Sequence, residues 1–264
     1  MAVRVSIGRY YSVDSPIHRL DPRLKIIAAV AYMVSCLVVS NIPTLVLAAL
    51  MAVVVTACAR VPLSRLLEQI RPVTYFLLIT SLFNLFFVHT GVVLIAAGPV
   101  AITTDGVSAA VFYTLRFLLL LLMGSLLMLT TQPMALTDAV EKLFSPLERL
   151  GVPVSQATLI LSIALRFVPV LSQDAQNIVV AQTARGAHLE GKGALAYARA
   201  CLPLMVPLFA SAVRHADNLG RAMDARCYTG GAGRTHYHVM RFTRRDAVAA
   251  AVLVLYLIAL VALR

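Results

Sequence analysis

Hydrophobic and polar positions in this chain are distributed in long blocks. Apolar runs cover residues 26–40, 44–59, 73–98, 107–131 and 247–263. A helix needs ~20 apolar residues to cross a ~30 Å hydrocarbon core. The first two runs are short for that and are parted only by Asn41-Ile42-Pro43, so they predict a hairpin whose first helix starts near Leu24. The pattern changes after residue 131. Residues 137–150 form a short amphipathic piece interrupted by Pro146. Residues 155–183 predict a helix of ~45 Å, apolar in its first half and carrying Gln173, Asp174, Gln176 and Asn177 in its second. Such a helix can leave the bilayer. Residues 204–224 predict another long helix, with Pro203 and Pro207 expected to kink or break the chain entering it.

This last helix has a face of its own. Ala212, Val213, Ala216, Leu219, Gly220 and Met223 recur at three- and four-residue spacing and predict an apolar stripe that seeks a partner. Arg214, Asp217, Arg221 and Asp224 lie on it, with Arg226 just beyond. At roughly 2.5–3.5 kcal/mol per charge at a bilayer centre, inserting these five would cost over ~10 kcal/mol before pairing, so the helix is not expected to span. Asp217 stands three after Arg214 and four before Arg221, which predicts a largely self-paired charged face.

Composition agrees with a polytopic membrane protein: 60% of residues are hydrophobic, 13% are charged and the mean hydropathy is +0.85. A net charge of +11 would suggest nucleic acid in a soluble chain. Here the charge is segregated, and no nucleic-acid partner is expected. Arg4, Arg9, Arg19, Arg23 and Lys25 open the chain, and Arg60, Arg65 and Arg71, with Glu68, predict a second basic loop. The 41–43 turn and residues 89–106 contain no lysine or arginine, while 13 of the 23 lysines and arginines fall in 132–246. The positive-inside rule then predicts a cytoplasmic N-terminus and a cytoplasmic or interfacial 132–246 region, with Arg264 at the outer end of the last span. The first 25 residues are polar, and no cleavable signal is expected from them. Arg116 interrupts the fourth run, where snorkelling toward the interface is one explanation and a functional charge another.

Candidate chemistry is sparse. Cys36, Cys58, Cys201 and Cys227 share no metal-like spacing, and neither a disulfide nor a zinc site is expected. Residues 186–193 approach a phosphate loop but lack its final hydroxyl and follow a helix, not a strand. His236 and His238 have no third ligand nearby in sequence. No metal or catalytic set is predicted. What stands out are two short repeats, Ala184-Arg185-Gly186 and Ala225-Arg226-Cys227, whose arginines are 41 residues apart. Each closes a long helix. An arginine and a glycine make an ordinary helix stop, but Cys227 occupies the second glycine position and is expected to weaken that cap.

Gln182-Thr-Ala-Arg-Gly186 and Ala222-Met-Asp-Ala-Arg-Cys-Tyr228, together with Asp14-Ser-Pro-Ile-His-Arg-Leu-Asp-Pro-Arg-Leu-Lys25 and Leu143-Phe-Ser-Pro-Leu147 before Gly151-Val-Pro153, carry a family resemblance. The chain resembles the transmembrane T component (EcfT/CbiQ-like) of energy-coupling factor (ECF) transporters. The motifs run in order along most of the chain. The resemblance implies an all-α fold of about five transmembrane helices plus long cytoplasmic amphipathic coupling helices. The organisation expected is 1–131 (N-terminal segment and four spans), 132–246 (coupling region) and 247–264 (last span).

The resemblance also implies a multi-pass subunit of a prokaryotic cell membrane that couples two ABC-type ATPases to one substrate-binding S component for uptake of a vitamin or a transition metal such as cobalt. Ala184, Arg185, Gly186, Ala225, Arg226 and Cys227 would dock the ATPases, and Pro203 and Pro207 would act as a hinge. The subunit itself would be non-catalytic and hold no cofactor, with ATP and magnesium bound by its partners. The alternatives are a self-contained secondary transporter, which needs polar or broken spans, and a membrane-embedded enzyme, which needs an acid, base or metal cluster. The four N-terminal runs hold no acidic residue. The transported substrate is not written in this chain, because in such systems it is chosen by the S component.

Overall fold

The structure is a computed structural model and describes residues 10–11, 13–87, 90, 92–97, 100–187, 194–230 and 242–264. Eight α-helices lie among the described residues: α1 (Pro22–Val38), α2 (Ile42–Ala59), α3 (Leu63–Phe87), α4 (Thr104–Thr130), α5 (Pro133–Phe144), α6 (Val154–Ala184), α7 (Ala194–Asp224) and α8 (Arg244–Ala262). A 3₁₀ segment, Ser145–Leu150, follows α5 and takes Pro146 into its first turn. The expected all-α polytopic class holds. One small addition was not legible: β1 (Val93–Ala97) and β2 (Val100–Thr103) pair antiparallel within what reads as a plain loop.

Five helices are long and apolar enough to cross a membrane, namely α2, α3, α4, α6 and α8. The number matches expectation but the membership differs. α1 has 17 residues, about 25 Å of helix, at the short end of the spanning range. α6, with 31 residues, qualifies in its place. Two further expectations give way. Residues 63–71 are not a basic loop but the opening turns of α3, where Leu66 and Ile70 are buried four residues apart and Pro72 is carried inside the helix. α7 likewise runs unbroken from Ala194 with Pro203 and Pro207 inside it, so the expected break at that pair is absent and the helix starts before 204. A proline removes one backbone hydrogen bond, a cost that flanking helical turns can absorb.

The chain forms two compact units; among described residues one comprises 10–139 and 242–264, the other 140–187 and 194–230. The first holds a hydrophobic core of α1, α2, α4 and α8 side chains, joined by Val61 and Leu66. α2 presents Thr44, Ala48 and Ala52 at four-residue intervals, all buried. Small side chains there let backbones approach, the usual device for packing helices where lipid offers no hydrophobic incentive. Tyr32 exploits that approach: its hydroxyl donates to the Ala48 carbonyl at 2.9 Å, and its ring stacks on Tyr256 of α8 with centroids 5.7 Å apart. The Ser35 and Tyr256 hydroxyls are hydrogen-bonded at 2.8 Å.

The Asp14–Lys25 motif belongs to this unit, and its polar residues are structural. The Asp21 side chain caps α1 by accepting from the Arg23 N–H at 2.9 Å, while its own N–H donates to Asp246 Oδ1 at 2.8 Å. Asp246 Oδ2 accepts from the Thr243 N–H and hydroxyl at 2.7 and 2.6 Å, capping α8. Lys25, buried, donates its ammonium to the carbonyls of His18 (3.0 Å) and Thr130 (3.1 Å). A cation thus meets the negative end of α4. Arg116 does the same for α1, donating to the Leu37 carbonyl next to that helix's C-terminus. The apparent intramembrane charge is therefore a helix cap supplied from another helix. At the opposite end of α1 and α8, Asn41 Nδ2 reaches the Arg264 carbonyl at 3.4 Å, so those two helices run parallel.

Candidate functional site: the paired helix ends

The two repeats sit at the ends of α6 and α7, within the second unit, and their backbones are the same. At the first, the Ala187 N–H donates to Gln182 O (3.0 Å) and the Gly186 N–H to Thr183 O (2.9 Å). At the second, the Tyr228 N–H donates to Met223 O (3.1 Å) and the Cys227 N–H to Asp224 O (2.9 Å). These are the paired six-to-one and five-to-two bonds of a Schellman motif, with the arginine at the C-cap each time. The left-handed residue is Gly186 (φ 85°) in one and Cys227 (φ 55°) in the other. Cys227 thus completes the cap it was expected to weaken, at a conformational cost of roughly 1–2 kcal/mol.

Arg185 and Arg226 are both exposed, and neither enters any of the ion pairs among the described residues. Each guanidinium stands where the helix dipole favours a cation and offers five donors in a planar fork. Ala184 and Ala225, also exposed, precede them and add no bulk around the fork.

Sequence reasoning missed the contact that ties these helices together. Asp174 Oδ2 on α6 accepts from Ser211 Oγ at 2.7 Å and from His215 Nε2 at 2.9 Å, both on α7, and the His215 ring lies 5.8 Å from that of Phe167. The three residue types suggest a hydrolase triad, but the geometry is wrong for one. Serine and histidine both point at the carboxylate, so the histidine is not placed to take the serine proton. The group is a clasp. Its only sequence signal is the polar second half of α6.

The clasp also rotates α7 relative to expectation. From residue 211 onward Ser211, Ala212, His215, Leu219 and Met223 are the half-covered positions, whereas Val213, Ala216 and Gly220 of the predicted stripe are exposed. Asp217 pairs with Arg221 at 2.7 Å as expected, but Arg214 enters none of the ion pairs among the described residues. Pro203 is exposed and Pro207 half-covered on the continuous helix. Residues 188–193 of the phosphate-loop lookalike, and His236 and His238, lie outside the described residues.

The spacing around the clasp is symmetric. Arg185 lies 11 residues beyond Asp174, and Arg226 lies 11 beyond His215. At 1.5 Å per residue each guanidinium tops an arm of about 16 Å measured from the same crossing. Eleven residues also bring a helix nearly back to the same face. The arrangement presents two like cations on equal levers and contains no acid–base pair suited to covalent chemistry.

Comparison with known proteins gives the family. Residues 14–237 match the cobalt transport protein family CbiQ. The energy-coupling factor transporter transmembrane protein EcfT of Thermosediminibacter oceani is 39% identical over 245 residues, 93% of this chain and 92% of that protein. EcfT of Bacillus subtilis is 37% identical over 240 residues, 91% of each. A Bifidobacterium longum protein named as an ABC transporter ATP-binding protein is 41% identical over 249 residues; the match takes 94% of this chain but only 32% of that longer protein. By the family match and by these full-length relatives, this chain belongs to the family of transmembrane components of energy-coupling factor transporters.

Proposed function

We propose that the chain is the non-catalytic coupling subunit of an ATP-driven importer, attached to two ABC-type ATPases through Arg185 and Arg226 and to one substrate-binding membrane subunit that selects a vitamin or a transition metal ion. The observation that carries this reading is the pair of matching Schellman ends, each with an exposed arginine that enters no ion pair among the described residues and lies the same number of residues from one clasp. Two equal attachment points suit two similar sockets, and closure of the sockets would move both arms about the crossing. The Bifidobacterium longum relative supports the pairing with ATP-binding partners, since a stretch like this chain lies within a protein named for ATP binding. Residues 132–246 act as the coupling region in this scheme, with the N-terminus and both tips in the cytoplasm of a prokaryote, as the lysine and arginine distribution favours. ATP and magnesium belong to the partners.

The test is bivalent. Removing one member of a desolvated charge pair costs ~2–5 kcal/mol, much of it from the carboxylate left behind. Arg185→Ala and Arg226→Ala should each reduce ATPase co-purification from detergent, and the double variant should abolish it together with ATP-dependent uptake. Lysine keeps the charge without the planar fork and should restore binding only in part. A folded double alanine variant that retains both ATPases and transports would reduce these arginines to helix stops.

A further inference from the structure

The bundle contains an apolar cleft that the coupling role leaves unused. It has a volume of ≈ 530 Å³ and lies between α1, α2, α4 and α8, lined by side chains such as Ala28, Val55, Leu127, Ala249 and Val252. At one end it opens beside Arg244 and Arg245, at the start of α8. Both arginines are exposed, and neither enters any of the ion pairs among the described residues. Lys25 also borders the cleft, but its ammonium is already taken up by the His18 and Thr130 carbonyls.

Arginines flanking a span are ordinary orientation signals. These two differ in standing at the mouth of a hydrophobic cavity. From residue 244 to 252 the cleft follows α8 for about 12 Å. A soluble ligand would find few polar groups to orient it. A hydrocarbon chain with an anionic head suits both the bore and the charge at its mouth.

We infer that this cleft holds one acyl chain of an anionic phospholipid from the leaflet at which α8 begins, its headgroup phosphate held by Arg244 and Arg245. The lipid would fill the space between α8 and the α1–α2 hairpin and so tie the bundle to an acidic membrane surface.

The sequence contains no tryptophan, which makes the test direct. The full chain carrying Val252→Trp is reconstituted with brominated phosphatidylglycerol or brominated phosphatidylcholine, and indole quenching is followed against lipid mole fraction. Val254→Trp, about 3 Å further along α8 and on its opposite face, is the control. The reporter at 252 should be half-quenched by the glycerol lipid at a mole fraction at least about fivefold lower than by the choline lipid, fivefold being the preference expected from just one of the two arginines. The control should show no such preference. R244Q/R245Q should abolish the difference at 252, and R244K/R245K should retain it. Equal quenching by the two lipids at 252, the same preference at 254, or a preference that survives R244Q/R245Q would each overturn the assignment.

Discussion

Asp246 and Asp174 each gather several donors, and comparing them shows how the two units of this molecule differ. Asp246 is 1% exposed and accepts from the Thr243 N–H and hydroxyl and from the Asp21 N–H, 225 residues away. It sits in a unit with a continuous buried core. The Asp174 side chain is 26% exposed and accepts from Ser211 and His215, both on α7. α6 has just two buried residues, Val154 and Thr158, and leaves Ile160, Val180, Val206 and Phe209 of the helix pair open. Buried in apolar surroundings, a carboxylate with three donors fixes the fold, because any donor left unpaired there has no water to turn to. Half exposed, the same group is cheaply replaced by water, and what it fixes is the crossing of two arms.

The contrast can be broken at four points. The largest effect should come from Asp246→Ala, which uncaps α8 and strands the buried Asp21 N–H. A loss of about 3 kcal/mol is expected, read as a lower midpoint in thermal unfolding of the detergent-solubilised chain. A midpoint unchanged within error would place Asp246 outside the stabilising network.

Asp174→Ala should act on geometry more than on stability. Spin labels at Thr183 and Asp224, near the two tips, should give a broadened distance distribution with little change in unfolding midpoint. A distribution as narrow as in the parent would show that packing alone sets the crossing.

His18 provides a pH-dependent test of the buried side. Its Nε2–H donates to the Tyr11 carbonyl at 3.0 Å, which leaves Nδ1 to accept from the Ser15 hydroxyl at 2.7 Å. Burial, with a smaller contribution from the Lys25 charge, holds the imidazole below its ordinary value of 6.5. A depressed value means that the unfolded ring binds its proton first as pH falls. Stability of the bundle is therefore full above pH 6.5 and declines below it. His18→Gln should flatten that decline; an equally steep one in the variant would assign the titration to another group.

The smallest effect belongs to the exposed tip. Cys227→Gly relieves a left-handed cysteine worth roughly 1–2 kcal/mol but returns about 1 kcal/mol of chain entropy to the unfolded state. A net gain of about 0.5 kcal/mol is expected. Unchanged ATPase recovery in the same variant would separate the cap from the docking arginine, whereas weaker recovery would make the thiol part of the contact.

Much of the fold was legible because it is local. Helix positions follow from apolar runs, and the cap that ends α6 follows from Arg185-Gly186, whose bonds join residues three and five apart, whereas the matching cap at Cys227 was expected to be weaker than it is. The α6 boundaries fell within a residue of the expected 155–183. The start of α3 was misread because its charges drew attention away from the Leu66–Ile70 spacing. Arg116 showed its oddness in the sequence but not its answer, since its acceptor at Leu37 lies 79 residues away.

By itself the sequence determined that this chain is an all-helical membrane protein with two cationic helix ends, because hydrophobic periodicity and helix capping depend on neighbours within a turn or two. Only the tertiary structure decided that Lys25 closes α4, that Asp21 meets Asp246, that Asp174 clasps His215, and that an apolar cleft ends at Arg244 and Arg245. Those outcomes depend on which faces of distant helices meet, and a polar side chain carries no mark of its distant partner until packing has excluded water from both.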